Sequence, residues 1–254
     1  IGNIDLSQPL SNTQWDQLHG DFLDKHVLVF RDQDLTPQKQ VDVARLFGKP
    51  AIYPFLKGLD GTPEVNELIK TEQDETNFGG SWHSDTAYKA RPDMGTLLYA
   101  LEVPPSGGDT LFANMYMAYD ALSDGMKAML EGLRGINSAE HPSAAATRTD
   151  RIRDNPKDAD AVVTTASHPL VRTHPETGRK ALYCSDAHTM QIEGMTVEES
   201  QPILQYLYQR FNEVTFLQKV TPSQAFIAQC VDECHGILEH SSISLQEKFV
   251  YDLL

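Results

Sequence analysis

Within Trp82-His83-Ser84-Asp85 an imidazole and a carboxylate stand two residues apart. In extended backbone, side chains at i and i+2 leave the same face, so one nitrogen of His83 and one oxygen of Asp85 can converge on a single cation. A further histidine from a distant strand would complete two His and one carboxylate on one face of an octahedron. Three positions would then stay open for a chelating co-substrate and dioxygen, the arrangement that non-haem Fe(II) oxygenases use. His-x-Asp is by itself a common tripeptide, so its context in the chain has to carry the assignment.

Other clusters point less clearly to chemistry. Cys230, Cys234 and His235 could form a thiolate metal site, but Phe226, Ile227, Cys230, Val231, Cys234, Ile237 and Leu238 follow helical spacing. A helix that buries two small apolar cysteines explains the cluster more simply than zinc does. His19, His26, His141 and His188 have no ligand-like neighbour in sequence and read as ordinary surface or core residues.

The elements that must position these residues are partly legible. Ser11 or Asn12 caps a helix through Trp15, Leu18, Phe22 and Leu23, and Val27–Phe30 follows as a buried strand. Thr36-Pro37 opens a second helix that runs to Gly48. Residues 49–95 predict short strands on long loops, and Thr96–Val103 a firm strand. The turn Pro104-Pro105-Ser106-Gly107-Gly108 leads to a strand over Asp109–Asn114. Helical spacing then runs from Tyr119 to Leu133, and residues 137–167 predict a mobile surface insertion. Two strands flank His174–Gly178, and Thr196 with Glu199 forms a capping box for a helix through Tyr208.

Composition bounds the rest. The chain has 254 residues, with 21 Lys+Arg against 36 Asp+Glu and a net charge of −15, which argues against nucleic acid as a partner. No run approaches the roughly 20 apolar residues of a membrane span, so no membrane is expected. Three cysteines fit a reducing compartment, and cytoplasm is the expected location. The chain opens on Ile1, and its N-terminus is treated as incomplete.

Four separated motifs in order carry a resemblance: Trp82–Thr86, Pro104–Leu111, His168–Pro175, and Gly178 on to Leu182-Tyr183. With them the chain, from about Gly2 to Tyr208, resembles the taurine and 2,4-dichlorophenoxyacetate dioxygenase family of Fe(II)- and 2-oxoglutarate-dependent oxygenases. The resemblance implies a mainly β fold with flanking helices, a double-stranded β-helix (jelly roll, cupin-like), as one oxygenase domain over residues 1–254. It implies His83 and Asp85 as the first iron ligands and Thr110 as the hydroxyl that contacts a carboxylate of 2-oxoglutarate. Tyr53 falls where the taurine enzymes have a histidine that helps hold the sulfonate, which makes taurine a disfavoured substrate. His168, Arg172 and His174 belong to a family motif with a structural hydrogen-bonding role. The partners implied are a small-molecule substrate and dioxygen, and such folds often form homo-oligomers.

The C-terminal segment 209–254 departs from the family. A Trp-Asp-Asn-Arg segment is expected where Ala228-Gln229-Cys230-Val231 stands. The family's distal histidine ligand follows the first by about 150 residues, a separation that His235 and His240 both meet, and a gap-free match from Tyr183 favours His235. The arginine that pairs with the far carboxylate of 2-oxoglutarate has no counterpart, since no arginine follows Arg210. Gln246 takes its likeliest position, and Lys248 is the one cation within reach. Lysine would bind a carboxylate as a point charge rather than as a fork. Two alternatives remain: His235 completes a divergent site, or the segment is an altered tail and the site is incomplete. The first makes the chain a dioxygenase that hydroxylates a small organic acid or similar polar molecule and releases succinate and CO2. The second makes it a non-catalytic jelly-roll relative that binds a small ligand.

Overall fold

The structure, a computed structural model, describes residues 4–70, 80–102, 110–148 and 164–211, and as backbone the strands at 217–220, 225–229, 233–237 and 245–251. Helix α1 (Asn12–Lys25) begins with a capping box, in which the Ser11 hydroxyl accepts from Gln14 N and the Gln14 side chain accepts from Ser11 N. Strand β1 (Val27–Phe30) follows, then α2 (Pro37–Phe47), whose first turn tolerates Pro37 and whose cap is the Thr36 hydroxyl. Next come β2 (Val65–Lys70), β3 (Gly95–Glu102) and β4 (Thr110–Asn114).

Two short helices, α3 (Met115–Asp120) and α4 (Asp124–Leu130), replace the single helix that spacing predicts over 119–133. The Ser123 hydroxyl accepts from Met126 N and starts a new helix there. Strand β5 (Arg134–Ser138) and α5 (Pro142–Arg148) occupy the first part of the predicted insertion, and β6 (Thr165–Pro169) its end. Asn137 and Ser138 are 1% and 3% exposed, so the first residues of that range are buried in β5, while Glu140, Pro142 and Ala146 are exposed. The remainder of the predicted insertion, 149–163, lies outside the described residues. A hairpin of β7 (Val171–Thr173) and β8 (Lys180–Leu182) flanks the His174–Gly178 turn. Then follow β9 (Thr189–Ile192), α6 (Val197–Phe211), β10 (Leu217–Val220), β11 (Ala225–Gln229), β12 (Glu233–Ile237) and β13 (Leu245–Tyr251).

All described strand pairs are antiparallel. The large sheet runs β1-β11-β3-β13-β2, a smaller one β10-β4-β12, and a third β6-β5-β9. The helix predicted through Phe226–Leu238 is therefore overturned by β11 and β12. Strand β11 is paired on both edges, by β1 and β3. A strand in the middle of a sheet reads as a continuous apolar run, which spacing cannot tell from a short buried helix.

The alternation along β3 separates two interiors. Leu97 and Tyr99 join Leu18, Phe22, Val41, Ala44 and Phe47 beneath α1 and α2. Leu98 turns the other way and, with Val27 and Val29 of β1, packs on Phe112 of β4. Phe112 is 1% exposed, and burying such a ring stabilises by about 2–3 kcal/mol. This contact sets the small sheet against the large one, with the candidate site on the same side of β3.

Candidate metal centre

The turn between β2 and β3 holds both residues of the His-x-Asp motif. His83 Nε2 lies 3.2 Å from Asp85 Oδ1, with the two side chains 15% and 9% exposed. Their far atoms are tied down. His83 Nδ1 donates to Ser81 O at 2.7 Å, which fixes the tautomer that presents Nε2, and the Thr96 hydroxyl donates to Asp85 Oδ2 at 2.5 Å. Two donors in adjacent positions of an octahedron with bonds of about 2.1 Å stand about 3 Å apart. The pair therefore fits a divalent cation held by Nε2 and Oδ1. Burial opposes the imidazolium of His83, but the hydrogen bond and charge of Asp85, the Ser81 carbonyl and Asp186 together hold its pKa above the ordinary value.

The flanking backbone is braced. Thr86 sits at φ 51°, a left-handed conformation that costs a β-branched residue about 1–3 kcal/mol. Three contacts over-determine it: Lys89 N donates to Thr86 O at 2.8 Å, Asp93 N donates to the Thr86 hydroxyl at 2.9 Å, and Lys89 Nζ pairs with Asp93 at 2.8 Å. His168 Nε2 reaches Lys89 O at 2.9 Å, and His174 Nδ1 accepts from Glu176 N and Thr177 N, so both histidines have the structural hydrogen bonds their motif suggests. Arg172 stacks on the Tyr183 ring at 4.4 Å.

Residues that the sequence passed over also meet the motif. Ala187 N donates to Trp82 O at 3.2 Å, which brings the loop after β8 against it. His188, read from sequence as an ordinary residue, is 7% exposed and stands edge-on to His83 with ring centroids 6.2 Å apart. Tyr88 lies 5.7 Å from His188, Phe55 5.6 Å from Tyr88, and Tyr53 5.5 Å from Phe55. Tyr53 thus joins His83 through a continuous series of rings. Thr96 read only as a strand former, because nothing in its local pattern announces a partner eleven residues away.

The other predicted residues are placed by register. Thr110 lies two residues from Phe112 along β4, hence on the same face, and opposite Ile237 of β12. His235 occupies the β12 position opposite Phe112. Lys248 stands opposite Tyr99 and Glu67. Tyr99 belongs to the helix-side cluster, so the register does not bring Lys248 into the rows of Thr96 and Leu98. Gln246 pairs with Glu102 and Ile69. Among the described residues, no group of three His, Cys, Asp or Glu could hold a metal.

Comparison with known proteins identifies the family. Residues 1–227 match the family described as taurine catabolism dioxygenase TauD, TfdA family. The chain belongs to that family. It is 31% identical over 235 residues to the alpha-ketoglutarate-dependent 2,4-dichlorophenoxyacetate dioxygenase of Cupriavidus pinatubonensis, covering 86% of this chain and 80% of that protein. It is 32% identical over 226 residues to the alpha-ketoglutarate-dependent dioxygenase cnsM of Penicillium expansum, covering 84% of this chain and 61% of that protein. It is 32% identical over 220 residues to the alpha-ketoglutarate-dependent sulfonate dioxygenase of Saccharomyces cerevisiae, covering 82% of this chain. The chain spans 61% and 52% of the lengths of the last two. A taurine dioxygenase structure from Burkholderia xenovorans superposes with TM-score 0.80 at 27% identity, covering 97% of this chain and 82% of that one. AAD-2 in complex with Mn(II) and N-oxalylglycine gives TM-score 0.79 at 26% identity, covering 98% and 90%.

Proposed function

We propose that this chain is an Fe(II)- and 2-oxoglutarate-dependent dioxygenase built on one double-stranded β-helix (jelly roll) domain. It hydroxylates a small organic acid or similar polar molecule. The observation that carries the proposal is the pair of His83 Nε2 and Asp85 Oδ1, 3.2 Å apart with their far atoms fixed by Ser81 and Thr96. The names of the relatives, alpha-ketoglutarate-dependent dioxygenases, support the co-substrate. Iron bound there supplies the oxidation: dioxygen and 2-oxoglutarate are consumed, one oxygen atom enters a substrate C–H bond, and the other enters succinate as CO2 leaves.

The protein's own task is placement. His83 and Asp85 give two ligands, and His235 gives the third from β12, whose register opposite Phe112 is the supporting feature. The Thr110 hydroxyl, on the Phe112 face of β4, contacts a carboxylate of 2-oxoglutarate. The rings from His188 to Tyr53 form the wall against which substrate is held, with the Tyr53 phenol as its polar contact. Lys248, in the row of Tyr99, is not assigned the far carboxylate of the co-substrate.

Anaerobic addition of Fe(II) and then 2-oxoglutarate tests the proposal through the visible charge-transfer band of the chelate. Its appearance means that the ligand set is assembled, and succinate release can then identify the substrate. Its absence from folded protein leaves the chain a ligand-binding relative without turnover.

A further inference from the structure

We propose that Thr96 reserves one coordination position at the metal centre by restricting Asp85 to a single ligating oxygen. The inference rests on the functional proposal above and goes beyond it, because it assigns a positioning role to a residue outside the motif. A carboxylate can bind a metal through one oxygen or both. Six positions are available on an octahedron. Two histidines, one Asp85 oxygen and a bidentate co-substrate use five of them and leave one for dioxygen. If Asp85 engaged both oxygens, that last position would be filled.

The structure supplies the means to prevent this. Thr96 Oγ1 donates to Asp85 Oδ2 at 2.5 Å, with Thr96 2% and Asp85 6% exposed. A short hydrogen bond to an ionised carboxylate is among the stronger kinds, and burial shields it from competing water. The donor itself is held firmly. Thr96 is β-branched, so its χ1 is restricted, and it lies in β3 with Ala228 of β11 on one side and Tyr251 of β13 on the other. Oδ2 is therefore committed to the sheet, while Oδ1 faces His83 Nε2. Ser81 does the same for the imidazole, so each ligand of the motif offers one atom inward.

Nitric oxide, a dioxygen surrogate with a characteristic paramagnetic resonance signal on Fe(II), provides the test. It is titrated into the anaerobic Fe(II)/2-oxoglutarate complexes of the wild type, Thr96→Val, Thr96→Ala and Thr96→Ser, with Fe(II) affinity measured on the same samples. With the donor removed, Oδ2 can swing onto the metal. Because the second oxygen becomes a ligand in place of the lost support, Fe(II) affinity should stay within about threefold of wild type while nitric oxide affinity falls at least about tenfold, and Thr96→Ser should restore it. Unchanged nitric oxide affinity in both donor-less variants overturns the proposal. So does a parallel loss of Fe(II) and nitric oxide affinity that serine does not restore, which would make Thr96 a purely structural residue. A wild type that binds no iron overturns the functional proposal itself, and the first titration reports that before any variant is compared.

Discussion

Leu97 and Tyr99 leave one face of β3 for a hydrocarbon interior with Leu18, Phe22, Val41 and Phe47, whereas Thr96 and Leu98 leave the other for Asp85 and Phe112. On the helix side the one polar atom of Tyr99 is accounted for locally, since its hydroxyl donates to Gln33 O at 3.0 Å and accepts from Leu35 N at 3.4 Å. On the other side a buried carboxylate is kept with one oxygen turned toward an imidazole. Strand alternation thus lets a single strand carry both a packed core and a metal-ligand support without mixing their requirements. Substitutions on the two faces should accordingly separate stability from metal binding.

The largest effect is expected at the ligand itself. His83→Ala should lower Fe(II) affinity by more than about 100-fold, beyond the 10–100-fold typical of supporting residues. Its unfolding free energy should fall by about 1–3 kcal/mol, the cost of leaving Asp85 buried without its imidazole partner. Calorimetric metal titration beside a urea melt checks both, and a stability loss as large as that of the core variant below would mean that the two faces are not independent. The converse variant lies under α1. Phe22→Ala, at a ring 0% exposed, should cost about 3–5 kcal/mol in the urea melt. Iron affinity of the folded protein should not change, and a tenfold loss would show that the helix-side core sets the ligand geometry.

Which parts of this division were legible in the sequence follows from how local their causes are. Ser11 or Asn12, Thr36-Pro37 and Thr196 with Glu199 are cap signals confined to four residues or fewer, and each marks a helix start that the structure has, the first resolved to Ser11. His83 and Asp85 were legible because two residues of one motif face one point. Thr96 and His188 were not, because their partners are chosen by the fold: Asp85 across a turn, and His83 from the loop after β8. The C-terminal strands misled for a related reason. Strand β11 owes its state to pairing with β1 and β3, which its own apolar run does not encode.

A smaller effect should come from a cap remote from the site. Ser11→Ala removes the acceptor for Gln14 N and should cost about 1 kcal/mol, with the nitric oxide and iron titrations unaltered. If those titrations shift, α1 couples to the metal centre through the Phe22 and Leu97 interior, and the two faces of β3 communicate.

The finest probe is His168, which supports the turn beyond Asp85 through Lys89 O without touching the ligands. Burial lowers its pKa from the ordinary 6.5; the Lys89 carbonyl works against that shift, and the Arg172 guanidinium adds to it. In the unfolded chain the imidazole takes up a proton near pH 6.5, while the folded protein resists until lower pH. In that window the unfolded state binds more protons, so stability rises with pH. The contribution is complete above the unfolded value and is lost as pH falls through it toward the folded one. His168→Gln keeps a donor for Lys89 O but does not titrate. Relative to wild type, it should lose less stability between pH 7 and pH 5, as paired urea melts at the two pH values would show. Parallel pH profiles for the two proteins would mean that His168 is as free to ionise in the fold as in the unfolded chain.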